Sequence, residues 1–268
     1  ITTVILICFA ARYIQTVLIP PAHIEANFVM DQTSIIYYED PNTGEYVEHL
    51  SLHGDENRIL VDYEDIPEDM IKATVAIEDR TFWEHHGVNW RRTLYGVILM
   101  FTGQDIQGGS TITQQFIKNF TGYDDVTVKR KIQEIFTALD FEKNYSKEQI
   151  LEWYLNYIYL GDGCNGVATA AEHYFGKDLS ELSLAECASI ISITNNPTIY
   201  GPNSTVRMTN EDGEVTTGRE RNKQRQELVL WTMWDQGIIT EEEYQAAVAE
   251  ELVFTTEVDE KEPDTIYN

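Results

Sequence analysis

Basic side chains are scarce in this sequence. Lys and Arg number 19 in 268 residues against 45 Asp and Glu, a formal charge of −26 at pH 7. So acidic a chain is unsuited to nucleic acid, whose phosphates must be neutralised by a surplus of Lys and Arg. Anionic lipid headgroups would repel it as well, unless an apolar segment holds it at the bilayer. Cysteine is rarer still. Cys8, Cys164 and Cys187 are scattered and odd in number, which gives no disulfide framework and no zinc spacing. Internal repeats, low-complexity tracts and the GxxxxGK[ST] spacing of a P-loop are absent too. Apolar side chains are not in short supply: at 43% hydrophobic residues the chain can bury a core, and wholesale disorder is excluded.

The acid is unevenly spread. Residues 1–77 carry a net −10 and residues 143–268 a net −14, whereas 78–142 carry 7 basic and 9 acidic side chains, only −2. A nearly neutral stretch inside an acidic protein points to an anionic ligand there. The chain opens ITTVILICFAARYIQTVLIP, with Ile rather than an initiator Met, and reads as a piece of a longer chain. Of these 20 residues 14 are apolar and Arg12 is the one charge. A membrane span takes about 20 apolar residues, so the stretch suits the outer part of one. Pro20-Pro21 ends it and no small-residue cleavage pattern follows, which favours an anchor over a signal-peptide remnant or a buried helix.

Strand-like residues 35–38 and 45–50 flank the turn residues Pro41-Asn42-Thr43-Gly44, a hairpin pattern. Beyond Ile66-Pro67 the periodicity turns helical, with amphipathic stretches near 68–80, 90–101, 110–119, 127–142, 147–158, 167–175, 183–193 and 220–235. The expected organisation is a partial transmembrane anchor over 1–20, a linker and β-hairpin over 21–66, one mainly α domain over 67–250, and a linker over 251–268.

Three segments carry chemistry. In AIEDRTFWEHHG, Ile71, Val75 and Glu78 recur at i, i+4, i+7, which puts Glu78 on the apolar face of its helix. A carboxylate there is costly unless paired or working, and desolvation would suit it to acid–base work near neutrality. A capping or salt-bridged Glu is the bland alternative. Asp79 and Arg80 read as an exposed local pair, and His85 and His86 as packing or surface histidines. The segment GGSTITQQFIKN reads as a glycine turn entering a helix capped by Ser110 or Thr111. Its N-terminal amides face anions, with Ser110 and Gln115 as further donors and Lys118 as a charge. In KRKIQEIFTALDFE, Arg130, Glu134 and Ala138 form one stripe, with Ile132, Ile135, Phe136 and Leu139 on the packed side. The choice there lies between a surface Arg–Glu pair and a second carboxylate beside a cation in a cleft. Two carboxylates and an anion cradle suit transfer of a sugar from a phosphate-activated donor, because the anomeric carbon gathers positive charge in the transition state.

These blocks, in this order, resemble the peptidoglycan glycosyltransferase domain of class A penicillin-binding proteins and monofunctional transglycosylases, glycosyltransferase family 51. EDRTFWEHHG follows the family's ED-x-x-F-x-x-H-x-G, GGSTITQQFIKN its second motif almost letter for letter, and RKIQEIFTALDFE its third. SKEQILEWYLNYIYLGDGCNG and YFGKDLSELSLAECAS follow the fourth and its continuation. The resemblance implies a lysozyme-like, two-lobed helical fold with a membrane-facing lobe, which the apolar run 94–101 fits. It also implies an inverting enzyme that polymerises lipid II into β-1,4-linked glycan with loss of undecaprenyl pyrophosphate. Glu78 aligns with the general base and Glu134 with the second essential Glu. Ser110, Gln115, Lys118, Asn119 and Arg130 align with donor phosphate-binding groups, and Asp79, Phe82 and His85 with positions that shape the site.

No cofactor is required by the resemblance, which leaves room only for a divalent cation, Mg or Mn, at the donor pyrophosphate. The partners it implies are lipid II, the growing glycan strand, the membrane, and cell-wall elongation or division proteins. The place implied is the extracytoplasmic side of a bacterial plasma membrane, on a single-pass anchor. Asn89, Val126, Gln133 and Gln226 depart from the family pattern, the middle two where basic residues are common; Lys129 is placed to compensate. No Ser-x-x-Lys nucleophile occurs, so penicillin binding is not expected of these residues. The competing functions are a catalytically silent cell-wall scaffold and a lysozyme-like hydrolase with Glu78 as acid.

Overall fold

In a computed structural model, the residues described are 12, 34–39, 46–52, 57–93, 95, 109–121, 128–209 and 213–255. They are mainly helical. In chain order the elements are β1 (Ser34–Glu39), β2 (Tyr46–Leu52), β3 (Asn57–Arg58), α1 (Glu68–Glu78), α2 (Ile112–Thr121), α3 (Val128–Asn144) and α4 (Lys147–Tyr157). They continue with β4 (Cys164–Asn165), α5 (Val167–Phe175), α6 (Leu184–Ile193), α7 (Pro197–Tyr200), β5 (Met208–Thr209), β6 (Val215–Thr216), α8 (Gly218–Asp235) and α9 (Glu241–Ala249). The chain divides into two compact units, one drawn from Ile1–Phe28 and Glu78–Tyr154, the other from Val29–Ile77 and Leu155–Asn268.

The second unit is built on α6 and α8. Every residue of α6 from Ala185 to Ile193 is buried, and Ala185, Ala188, Ser189 and Ser192 keep its surface low enough for α8 to lie close. Side-chain amides on α8 reach across to buried carbonyls, although Gln226 Oε1 itself meets no hydrogen-bond partner. Asn222 Nδ2 donates to Ser189 O at 3.1 Å and Tyr200 O at 2.9 Å, and Gln226 Nε2 donates to Ala185 O at 2.9 Å. Gln226, a departure from the family pattern, is thus a buried tie between these helices. The expected hairpin is present as β1 and β2, antiparallel with an irregularity between Ile36 and Tyr37. Farther on, Arg58 donates to Asn156 O at 2.7 Å and Asn156 exchanges two bonds with the Val61 backbone, tying this strand-like segment to the unit's core.

Helix boundaries follow local chemistry. Ser183/Glu186, Thr217/Glu220 and Thr240/Glu243 form capping boxes that open α6, α8 and α9. Pro197 sits in the first turn of α7 behind the Asn196 cap. Among the described residues no helix is long and apolar enough to cross a membrane. The expected anchor lies outside the described residues except for Arg12, as does the apolar run 94–101 except for Tyr95.

Candidate active site

The first unit holds every residue singled out from the sequence for chemistry. Its core is aromatic: Phe116 of α2, Phe141 of α3 and Trp153 of α4 meet with ring centroids 5.8–6.2 Å apart. Ile112, Phe116 and Ile117 seat α2 on this core, which fixes where the start of α2 points.

That start is the hub of the site. Thr111, rather than Ser110, is the cap: its hydroxyl accepts from Gln114 N at 3.2 Å, and its own N–H donates to Gln114 Oε1 at 3.0 Å. The same hydroxyl donates to Gly87 O at 2.7 Å, which fastens the loop after α1 to α2. Gly87 has φ +82°, and a Cβ there would fall 2.4 Å from Ala138 O. The missing side chain of Gly87 therefore makes room for the backbone of α3 at Ala138.

Glu78 and Asp79 reverse the expected burial. Glu78, the last residue of α1, is half-buried, and its Oε2 accepts from Gln115 Nε2 at 2.9 Å. Asp79, expected in an exposed pair with Arg80, is completely buried, while Arg80 is exposed. The helix ends between them, so the next side chain turns inward instead of following the helical face. Asp79 Oδ2 lies 2.8 Å from His85 Nε2 and accepts from Ile112 N at 3.1 Å. Asp79 Oδ1 is 3.8 Å from Arg92 Nη1. An ionised carboxylate only accepts, so Nε2 carries the proton. His85 is therefore a partner of a buried carboxylate, and His86 is exposed as expected. Phe82 is fully buried and packs edge-on to His85 with centroids 6.3 Å apart.

Asn89 also gains an account. Its amide donates to Thr81 Oγ1 at 2.8 Å and its oxygen accepts from Arg92 N at 3.1 Å, an N-cap that Asn provides as well as Asp.

A second cluster joins α2 and α3. Lys131 Nζ donates to Ser110 Oγ at 2.9 Å and lies 2.5 Å from Glu134 Oε1; Arg130 Nη2 is 3.7 Å from Glu134 Oε2. Glu134 is 8% exposed, so its pairing with Arg130 is buried rather than at the surface. Lys131 was not singled out from the sequence, although its i, i+3 spacing to Glu134 could have revealed it. Ile132 and Leu139 are only half-buried, and Glu134, Thr137 and Ala138 share the packed side with Ile135. Lys118 and Asn119 are exposed, three and four residues beyond Gln115 on α2. Gln133 is half-buried, whereas Val126 and the side chain of Lys129 lie outside the described residues.

Tyr154, beneath this region, is 1% exposed with a hydroxyl that meets no hydrogen-bond partner. Burial first, then the Glu78 charge, pushes its pKa well up, so it stays a neutral phenol. Among the described residues no group of three or more His, Cys, Asp or Glu is placed to hold a metal ion.

A half-buried carboxylate fixed by an amide can accept a proton, and a Ser–Lys–Arg cluster can hold an anion; both depend on the start of α2. Comparison with known proteins bears on what that pairing serves. The chain is 36% identical over 245 residues to penicillin-binding protein 1A of Clostridium botulinum, covering 88% of this chain and 28% of that protein. It is 40% identical over 205 residues to penicillin-binding protein 1A of Aquifex aeolicus, covering 76% and 26%. A solved penicillin-binding protein 1A from Haemophilus influenzae is similar at 26% identity and a TM-score of 0.44, covering 85% of this chain and 22% of that one. The chain thus spans only about a quarter of the length of these relatives, from 22% to 28%. The family model described as Transglycosylase matches residues 43–233, which take in all the motifs above, and the chain belongs to that family.

Proposed function

We propose that the chain is an inverting peptidoglycan glycosyltransferase that polymerises lipid II into β-1,4-linked glycan and releases undecaprenyl pyrophosphate. The observation that carries this is the shared hub: Gln115 holds the Glu78 carboxylate at 2.9 Å while Ser110, five residues earlier, meets the Lys131–Glu134–Arg130 cluster. Glu78 takes the proton from the acceptor sugar's 4-hydroxyl as that oxygen bonds to the donor's anomeric carbon. The bond from that carbon to the pyrophosphate breaks and its electron pair leaves on the phosphate oxygen. Lys131, Arg130 and Ser110, with Lys118 and Asn119 at the exposed side of α2, meet the charge that develops there, and Glu134 keeps the two cations in place. Asp79, Phe82 and His85 hold the loop that leads from the base to α2.

Among the described residues no group of carboxylates is placed to hold a Mg or Mn ion, and Glu134 is already engaged by two cations. A pyrophosphate held by side-chain cations calls for no cofactor. Exposed Trp83, Trp90 and Tyr95, respectively 47%, 60% and 64% accessible, suit a surface at membrane level. They agree with a lysozyme-like, two-lobed enzyme anchored outside the bacterial plasma membrane, whose partners are lipid II, the growing strand and cell-wall elongation or division proteins. A silent scaffold would have no use for the ordered base and cation cluster, and a hydrolase no use for the cations. In a polymerisation assay with labelled lipid II, Lys131→Met should cut turnover by roughly 10²-fold, the scale of losing one preorganised charge contact. Unchanged turnover would remove the cluster from the donor site.

A further inference from the structure

Lys147 opens α4, and its side chain is 17% exposed. Its Nζ lies 2.8 Å and 2.7 Å from the two carboxylate oxygens of Glu142 at the end of α3, and 4.3 Å from the centre of the Phe82 ring. Glu142 is 3% exposed, and its Oε1 also accepts the Thr113 hydroxyl of α2 at 2.5 Å. One ammonium therefore joins four segments: the loop after α1, the first turn of α2, the end of α3 and the start of α4. Phe82 passes the contact on to His85, which holds Asp79, the neighbour of Glu78.

An ion pair this buried is a poor source of stability, because desolvation offsets most of its attraction and an apolar side chain would pack as well. It is a good source of fixed geometry, since the ammonium has to sit where the ring face and the carboxylate meet. The geometry points to Lys147 as a positioning residue for Glu78, acting through Phe82 and His85; this rests on Glu78 being the base. The charged groups facing it are Glu142 from α3 and Asp79 from the loop after α1. Burial lowers the Lys147 pKa, and the Glu142 hydrogen bond and the charges of Glu142 and Asp79 offset part of that. As pH rises, this ammonium loses its proton before an ordinary lysine does, and the brace goes with it. Activity should therefore have an alkaline limb set by Lys147.

The test uses the whole chain in detergent with labelled lipid II, and amide hydrogen exchange at one fixed pH. Lys147→Met should lower kcat by roughly 10- to 100-fold, as expected for a displaced base, with little change in KM. It should also speed exchange at Phe82, Glu84 and His85, whose amides donate to Asp79 O and Thr81 O within this loop. Lys147→Arg, permanently charged, should restore protection and move the alkaline limb to higher pH. Glu142→Gln, which removes the countercharge while keeping a partner for Thr113, should move the limb to lower pH. Wild-type kcat with protected amides in Lys147→Met, or an unmoved limb in both conservative variants, would overturn the assignment. Hydrogen exchange needs no turnover: a wild type that makes no glycan refutes the functional reading, and the exchange pattern then decides the brace by itself.

Discussion

Glu78 and Asp79 are adjacent in sequence and opposite in surroundings. Asp79 is spent on structure, with His85, Ile112 N and Arg92 around a carboxylate that has no exposure. Glu78 keeps part of its surface and takes an amide hydrogen bond from Gln115, which orients its carboxylate. Helical periodicity placed Glu78 on the buried face, one residue short of the carboxylate that is buried, because periodicity holds only while the helix continues. Gly87 is the other residue on which the site depends. Alanine there would need an unfavourable positive φ and would push its Cβ into Ala138 O. Gly87→Ala should cost about 2–4 kcal/mol, read as a lower urea midpoint. A midpoint equal to wild type would mean the loop and α3 can part without penalty.

Among elements, helices announced themselves best where caps and amphipathic faces agreed. The stretch 167–175 is α5 residue for residue, and 183–193 differs from α6 by its capping serine. The short α7 and the highly charged α9 were missed, the first because four residues carry no period, the second because Glu241, Glu242 and Glu243 mask its faces. The second and third motifs were legible as chemistry, but their junction through Lys131 and Ser110 was not, since tertiary packing brings α2 and α3 together. The caps make a separate prediction. Hydrogen bonds from the Thr217 and Thr240 backbones, then from their hydroxyls, hold the Glu220 and Glu243 carboxyls below their ordinary pKa. A depressed folded-state pKa stabilises the fold above the unfolded value, near about 4.3, and that stability is lost as pH falls through the folded value. Glu220→Gln with Glu243→Gln should therefore melt lower than wild type at pH 6, with the gap closing toward pH 3. A gap independent of pH would show that the carboxylate charges do not act in the caps.

For the molecule as a whole, a net charge of −26 is the dominant long-range force. Self-repulsion opposes compactness and yields to screening. Raising salt from about 0.01 M to about 1 M shortens the Debye length from about 30 Å to about 3 Å. The ion pairs of the site are largely shielded from solvent, and exposed pairs such as Lys72–Glu68 contribute at most about 1 kcal/mol. Relief of repulsion should win, raising the melting temperature by several degrees; a fall would mean that surface pairing outweighs the net charge. The near-neutral stretch 78–142 inside this acidic chain contains both halves of the proposed site, the base and the anion-binding cluster. The most direct test of that site is gel-resolved polymerisation of labelled lipid II by wild type beside Glu78→Gln, which keeps the shape and removes the base. Long glycan from wild type, and turnover lower by about 10²-fold or more in the variant, is the predicted result. Comparable product from both would contradict Glu78 as the base.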